Sequence, residues 1–158
     1  MKNTFKRSGA ALILLVLLLV LAVSAGAASS QNVGVKFWKE RSDKESMANS
    51  GIDPDRTATL TRQANGTYTL TLPVMQVSKL GVTGYLSGLT IGDVTYDGTL
   101  TGDFNKATAV LTIKNLPASV LTGSDVNKSV LVTCNIQMDL QVLGEINTSA
   151  RMCIWNQK

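Results

Sequence analysis

VLVTCNIQMDLQV, residues 130–142, is the stretch that decides the fold. Apolar side chains occupy every even position, and all the odd positions except Leu131 are polar. Successive side chains of a strand point to opposite faces, so this alternation predicts a long strand with one buried and one solvated face. Residues 150–155, ARMCIW, predict a last strand that returns beside it.

Cys134 and Cys153 fall one in each of these two strands. A tight turn at Leu143-Gly144 would place them opposite each other, where an oxidising compartment permits a disulfide. A turn of another length shifts the register by one residue and puts the thiols on opposite faces. Two buried thiols that never pair are the remaining alternative.

The chain from residue 33 to residue 114 continues the strand pattern in short pieces. The further candidate strands are residues 33–38, 57–61, 67–72, 74–80, 89–96 and 107–114. Asn65-Gly66 is the clearest turn between them, because both residues tolerate positive φ. Seven to eight short strands separated by turn signals predict an all-β sandwich or barrel.

The balance of ionisable residues excludes several classes of protein. The net charge is +4, but Lys2, Lys6 and Arg7 stand at the N-terminus, and the remainder has 12 basic and 11 acidic residues. A nucleic-acid binder needs a basic surplus on its folded part, so none is expected. The sequence has no His, which removes Ser-His-Asp and Cys-His hydrolases and histidine-ligated metals. With no Gly-rich phosphate loop either, we expect no enzyme.

The N-terminus has the pattern of a secretory signal peptide. Its basic residues precede the apolar run 10–23, and Ala25-Gly26-Ala27 follows as a small-residue cleavage site. The run of 14 residues is shorter than the roughly 20 that span a bilayer. We therefore expect a signal peptide at 1–27, cleavage after Ala27 or Ala28, and a single exported domain at 28–158 with no transmembrane segment.

A polar segment, residues 39–55, interrupts the strands. It is rich in charge, and Ser46-Met47-Ala48-Asn49 is long enough for one short helical turn. Met47 is an apolar residue in this polar segment, where solvent exposure would leave it without a packing role.

The order of these elements resembles the NEAT (near-iron-transporter) domains. The resemblance is carried by residues 38–49, WKERSDKESMAN, by residues 65–72, NGTYTLTL, and by the last two strands. It covers most of residues 33–155 and implies an immunoglobulin-like β-sandwich with one short helix after the first strand. It also implies a haem-binding domain for iron acquisition, secreted or attached to the cell surface or wall of a Gram-positive bacterium.

The resemblance also implies where haem would lie, between the short helix and the hairpin of the last two strands. The helix serine that contacts a haem propionate is Ser46, and the residue over the distal face is Met47. Most haem-binding members hold iron with a Tyr pair that would fall near Gly144 and Thr148. This sequence has no Tyr after Tyr96, so it departs from the family at the iron. Some members of the family resemble a second type of site, in which haem is held between two methionines.

Thioether sulfur is a ligand that haem iron accepts, and two methionines would have to face each other across the slot. Met47 would stand on one wall and Met138 on the other, with Met152 as a second option and Met75 as a third. Each of them has core packing as an alternative role. The apolar lining would come from Ile136, Leu140, Val142 and Ile154. Polar groups for the propionates would come from Ser46, Lys44 and Lys128.

Two functions remain open from the sequence. One is a secreted module that captures or relays haem, with haem and other haem-transfer proteins of the cell surface as its partners. The alternative is a non-catalytic sandwich of NEAT-like fold that serves in adhesion or protein interaction and binds no haem.

Overall fold

Antiparallel strands account for nearly all the regular structure of the described chain. The computed structural model describes residues 28–79, 81–139 and 144–158, so the expected signal peptide, Leu140, Val142 and Leu143 lie outside the described residues. The nine strands are β1 (Ser29–Lys39), β2 (Ala58–Arg62), β3 (Tyr68–Pro73), β4 (Val77–Lys79), β5 (Val82–Ile91), β6 (Val94–Thr101), β7 (Val110–Leu116), β8 (Val130–Met138) and β9 (Glu145–Asn156). Short 3₁₀ turns lie at Met47–Gly51, Phe104–Lys106, Ala118–Val120 and Val126–Lys128.

The strands form one sheet that closes on itself. The order is β4-β5-β6-β7-β3-β2-β1-β9-β8, and β8 pairs back onto β5. Eight strands thus form a flattened ring, with β4 attached beside β5. The fully buried side chains fill its interior, among them Phe37, Leu72, Leu111 and Met152. The predicted all-β, immunoglobulin-like sandwich with a short helical turn after the first strand is confirmed, with nine strands where seven to eight are expected from the sequence.

The strand count differs because the side-chain pattern of residues 89–96 predicts one strand where the structure has parts of two. The chain turns there at Gly92, whose φ of 59° is left-handed, and Ile91 pairs with Val94 across the turn. β5 and β6 are therefore the two arms of a hairpin. An alternation of side chains continues across a two-residue turn, so it does not reveal the reversal of direction.

β1 changes partners in its middle, which creates the position for the polar segment. Residues up to Val33 pair with β2, and residues from Val33 onward pair with β9 on the other side. Beyond Val33, the turn at Met47–Gly51 occupies the edge of β1 that β2 no longer covers. Asn49 accepts a hydrogen bond from the Phe37 N–H at 2.8 Å, and its amide donates to the Phe37 carbonyl at 2.7 Å. One side chain thereby replaces a missing strand partner.

The two cysteines do not form a disulfide in this register. Cys134 stands opposite Thr148, and Cys153 stands opposite Lys36, so their side chains project to opposite faces. Both thiols are free and buried, and Cys153 donates to the Asp125 carbonyl at 3.6 Å. Burial raises the pKa of the Cys134 thiol to about 12, because a thiolate there would lose its hydration.

We expect Asn49→Ala to destabilise the fold by about 1–3 kcal/mol, because the Phe37 N–H loses its acceptor in a partly buried position. The measurement is urea unfolding followed by tryptophan fluorescence. Asn127→Ala is the matched control: its amide bonds to exposed Asp125, so its effect should stay within about 0.5 kcal/mol. Equal unfolding midpoints for the two variants would contradict the role given to Asn49.

The buried Cys134 thiol should make the fold sensitive to alkali. Because its pKa is raised in the folded state, its contribution is complete below the ordinary value of 9.0 and is lost as the pH rises toward about 12. Within that range stability should fall by up to about 1.4 kcal/mol per pH unit more steeply than in Cys134→Ala. The measurement is the free energy of unfolding of both proteins between neutral pH and about pH 11. Parallel curves would show that the thiol titrates normally.

Candidate functional site

The apolar interior becomes exposed to solvent at the end of the ring near Ile136 and Ile146. On the inner face, Leu89 and Cys134 are paired and fully buried. One step further along β8, Leu86 is still buried, but its partner Ile136 is only half-buried. Ile146, directly opposite Ile136 and so on the same face, is 43% exposed. An apolar wall therefore continues past the packed core and reaches solvent.

A row of three residues crosses the floor of this open end. Val77 of β4, Gly84 of β5 and Met138 of β8 are in register, so they share the inner face. A Cβ on Gly51 would lie 4.0 Å from a methyl group of Val77, which places the turn Met47–Gly51 above β4. Neighbouring strands are about 4.8 Å apart, so β4 and β8, on either side of β5, are separated by roughly 10 Å. We call the space over the inner face of β5, between the turn and β8, the slot.

Met138 directs its sulfur into the slot. Its Sδ lies 2.7 Å from the point that a Cβ on Gly84 would occupy, so the thioether rests over the bare backbone of β5. Because β5 lies between β8 and β4, a sulfur placed over β5 is displaced from β8 toward β4 and the turn. Met138 is half-buried, and its N–H donates to the Gly144 carbonyl at 3.1 Å, which ties it to the base of the last hairpin.

The opposite wall is the turn itself. Met47 is its first residue, and its side chain is 60% exposed. Ser46 caps the turn by accepting a hydrogen bond from the Ala48 N–H at 3.3 Å. That bond uses a lone pair of the Ser46 oxygen and leaves the hydroxyl proton for another acceptor. Ser46 and Met47 therefore lie at the start of the turn whose last residue, Gly51, lies beside Val77 of β4.

The other residues named from the sequence lie outside the row formed by Val77, Gly84 and Met138. Ile154 is fully buried in β9, ten residues beyond Gly144. Ile154 faces Val35, and Met152 faces Phe37, in the core of the ring. Lys128 precedes β8 at the end remote from Met138. Met75 is exposed beyond β3, and its N–H donates to the Gly51 carbonyl.

Charged side chains hold the polar segment to the outer face of β1 and β9. Lys36 pairs with Glu45 at 2.5 Å and also stands 4.6 Å from the centre of the Trp38 ring. Arg151 pairs with Asp43 at 2.7 Å. Exposed pairs of this kind contribute little to stability, about 0–1 kcal/mol each. Their main effect is to fix the path of the chain that leads into Ser46.

Three residues of the site do not follow from the sequence. Asn49 belongs to the S-M-A-N element, and its polar side chain shortly after a helix cap is the sequence signal that could have identified it. Ile146 is opposite Ile136 only because of the register that the hairpin adopts. Gly84 carries no side chain to suggest a role, and no sequence signal identifies it.

A separate cavity of about 220 Å³ lies between β1 and the 52–58 segment. Its lining includes Val35, Asp53, Arg56 and Trp155, and none of the residues predicted for the haem site. Within the described ranges, acidic residues and cysteines form no group of three or more that could hold a metal ion. The described part also has no helix with the length and apolar character needed to cross a membrane.

Comparisons with known proteins agree with the fold. No protein-family model matches the sequence, and no curated protein matches it. Among solved structures, the chain is similar to the NEAT5 domain of IsdX2, a B. anthracis hemophore, in complex with heme. The identity is 10%, the TM-score is 0.53, and the match covers 83% of this chain and 98% of that one. A point mutant of that domain, also in complex with heme, matches with the same values. The protein therefore has the fold of a NEAT domain.

Proposed function

We propose that this protein binds haem in the slot and captures or relays it, with the iron held by Met47 and Met138. The observation that carries the proposal is the position of the Met138 sulfur over Gly84, directed toward the turn that presents Met47. The heme complexes of the similar IsdX2 domain support haem as the ligand class.

The residues near the slot suit a neutral, soft ligand set. The sequence has no His and no Tyr beyond Tyr96, so the usual imidazole and phenolate ligands are missing from β8 and β9. Cys134 shares the inner face with Met138, but burial raises the pKa of its thiol to about 12 and keeps it protonated. Thioether sulfur needs no deprotonation and binds haem iron. Met138 and Met47 are the ligands that this chain offers there.

The lining of the slot also suits a flat macrocycle. Two iron–sulfur bonds of about 2.3 Å each, a length borrowed from zinc–thiolate bonds, would require roughly 4.6 Å between the sulfurs. Ile136 and Ile146 supply apolar surface beside Met138, and burial of that exposed surface would favour binding. This apolar surface supports haem as the ligand.

Ser46 is the proposed partner of a haem propionate. Its hydroxyl can donate to a carboxylate while its oxygen continues to cap the turn. Lys44, exposed two residues earlier, adds a positive charge near the same mouth. The cap and the propionate contact would then share one side chain, so ligand binding would reinforce the turn.

We further propose that the protein acts outside the cell. The basic and apolar residues of 1–27 support export, and the hemophore similarity supports a secreted or surface-bound role in iron acquisition. Thioether ligands hold haem without a charged bond, which favours transfer to a partner over storage. Other haem-transfer proteins are therefore the partners to test.

Haemin titration of the purified protein should give a shifted Soret band and, after reduction, a sharp low-spin spectrum. Met47→Ala and Met138→Ala should each lose the low-spin form, since either removes one axial sulfur. Leu131→Ala is the matched control, as it removes an exposed apolar side chain from the outer face of β8 and should leave the spectrum unchanged. A wild-type protein that shows no spectral change in either redox state would refute the proposal and leave the adhesion or protein-interaction function.

Ser46→Ala should weaken haemin binding by about tenfold or more, because a hydrogen bond to a charged group is lost. The measurement is a fluorescence-quenching titration against haemin and against its dimethyl ester. The ester has no propionate charge, so wild type and variant should bind it with similar affinity. If the variant is weakened equally toward both ligands, the serine acts through the cap alone.

A further inference from the structure

We propose that Gly84 is a positioning residue whose missing side chain keeps the place for the Met138 thioether in the slot. This inference rests on the proposed function for its significance, because a directed sulfur matters only if it serves as a ligand. It assigns a role to a residue that is neither a ligand nor a lining group. Its chemistry is steric: the glycine supplies a hollow in β5 that the sulfur fills.

The contacts that a side chain at Gly84 would make support this role. A Cβ there would lie 2.7 Å from Met138 Sδ, 3.0 Å from the Gln137 carbonyl oxygen and 3.3 Å from Ile136 Cγ2. Carbon and sulfur do not approach to 2.7 Å in a packed structure, so one of them must move. The thioether is the end of a flexible side chain and would move first.

Backbone conformation gives Gly84 no other reason to be glycine. Gly81 and Gly92 on either side of it have φ values of +79° and +59°, where a side chain would be strained. Gly84 lies outside that left-handed region and has ordinary strand pairing with Val77 and Met138. A glycine inside a strand weakens it and often marks a place where another group approaches closely. Here the approaching group is the Met138 sulfur.

Other close glycines of the sheet differ in what they face. A Cβ on Gly88 would meet the Tyr96 carbonyl oxygen at 2.7 Å, and one on Gly98 would meet Leu111 Cδ1 at 2.3 Å and the Ser87 carbonyl oxygen at 2.6 Å. At both positions a side chain would therefore press on the backbone of the neighbouring strand. At Gly84 the nearest atom is a side-chain sulfur, and the nearest backbone atom is 3.0 Å away. An alanine at position 84 should therefore displace the thioether while the strands stay paired.

The test is Gly84→Ala in the full protein, with haemin as the probe. We expect the variant to keep a Soret shift, because the apolar walls remain, and to lose the low-spin spectrum and the long-wavelength sulfur-to-iron charge-transfer band. Thr83→Ala, on the outer face of the same strand, is the matched control and should keep both. If Gly84→Ala retains the complete low-spin spectrum of the wild type, the inference is overturned.

A double variant separates positioning from general damage to the sheet. Because Gly84 acts through Met138, adding Gly84→Ala to Met138→Ala should leave the haem spectrum and the haem affinity of Met138→Ala unchanged within about twofold. A further loss of affinity by more than that would mean that the alanine disturbs the slot without involving the sulfur, which overturns the inference.

A measurement without haem keeps this inference distinct from the proposed function. In protein labelled at the methionine methyl groups, the Met138 methyl resonance should shift in Gly84→Ala, and the Met152 resonance from the core should not. This result holds whether or not haem binds, so a wild type without a haem spectrum would refute the proposed function alone. An unchanged Met138 resonance would refute the role of Gly84.

Discussion

The pair of hydrogen bonds between the Asn49 amide and the Phe37 backbone is the interaction on which the slot depends. β1 must leave β2 to pair with β9, and the abandoned edge exposes backbone groups that need partners. Asn49 satisfies the Phe37 N–H and carbonyl together, and the Ser46 N–H donates to the same carbonyl at 3.0 Å. The turn that carries Met47 is thereby fixed to β1 at Phe37, and the Met75 N–H, which donates to the Gly51 carbonyl at 3.0 Å, holds its other end.

The opposite wall is held by a different force. β8 and β9 belong to the closed ring of strands, and burial of apolar side chains inside that ring stabilises them. Closure removes the free edges of the eight strands, but it does not cover both ends of the interior. Toward Met138 the buried Leu86 of β5 is followed on the inner face by Gly84, which has no side chain. On the neighbouring strands, Cys134 is fully buried, whereas Ile146 is largely exposed. An apolar surface left open in this way is the feature that a flat hydrophobic ligand would complete.

The sequence predicts the fold well because the alternation of residues 130–138 and the turn at Asn65-Gly66 are local signals. It predicts less of the site, because position along a strand depends on register. Ile154 and Met138 both carry the inner-face pattern, yet one lies in the core and the other at the open end. The hairpin register, which sets Cys134 opposite Thr148, follows from the length of a loop and not from the strand residues. The role proposed for Gly84 cannot be predicted from the sequence, because it depends on the absence of a side chain.

The unequal attachment of the two walls has a consequence for ligand exchange. Met138 lies over a paired strand of the ring, so moving its backbone would break ladder hydrogen bonds of β5 and β8. Met47 lies on a five-residue turn that Ser46 and Asn49 tie to β1 at Phe37. Displacing the turn disturbs its contacts with Phe37 and Met75, whereas displacing β8 disturbs a whole ladder of hydrogen bonds. If haem binds as proposed, Met47 would be the more easily displaced of the two sulfur donors and Met138 the more firmly held, because only β8 belongs to the closed sheet.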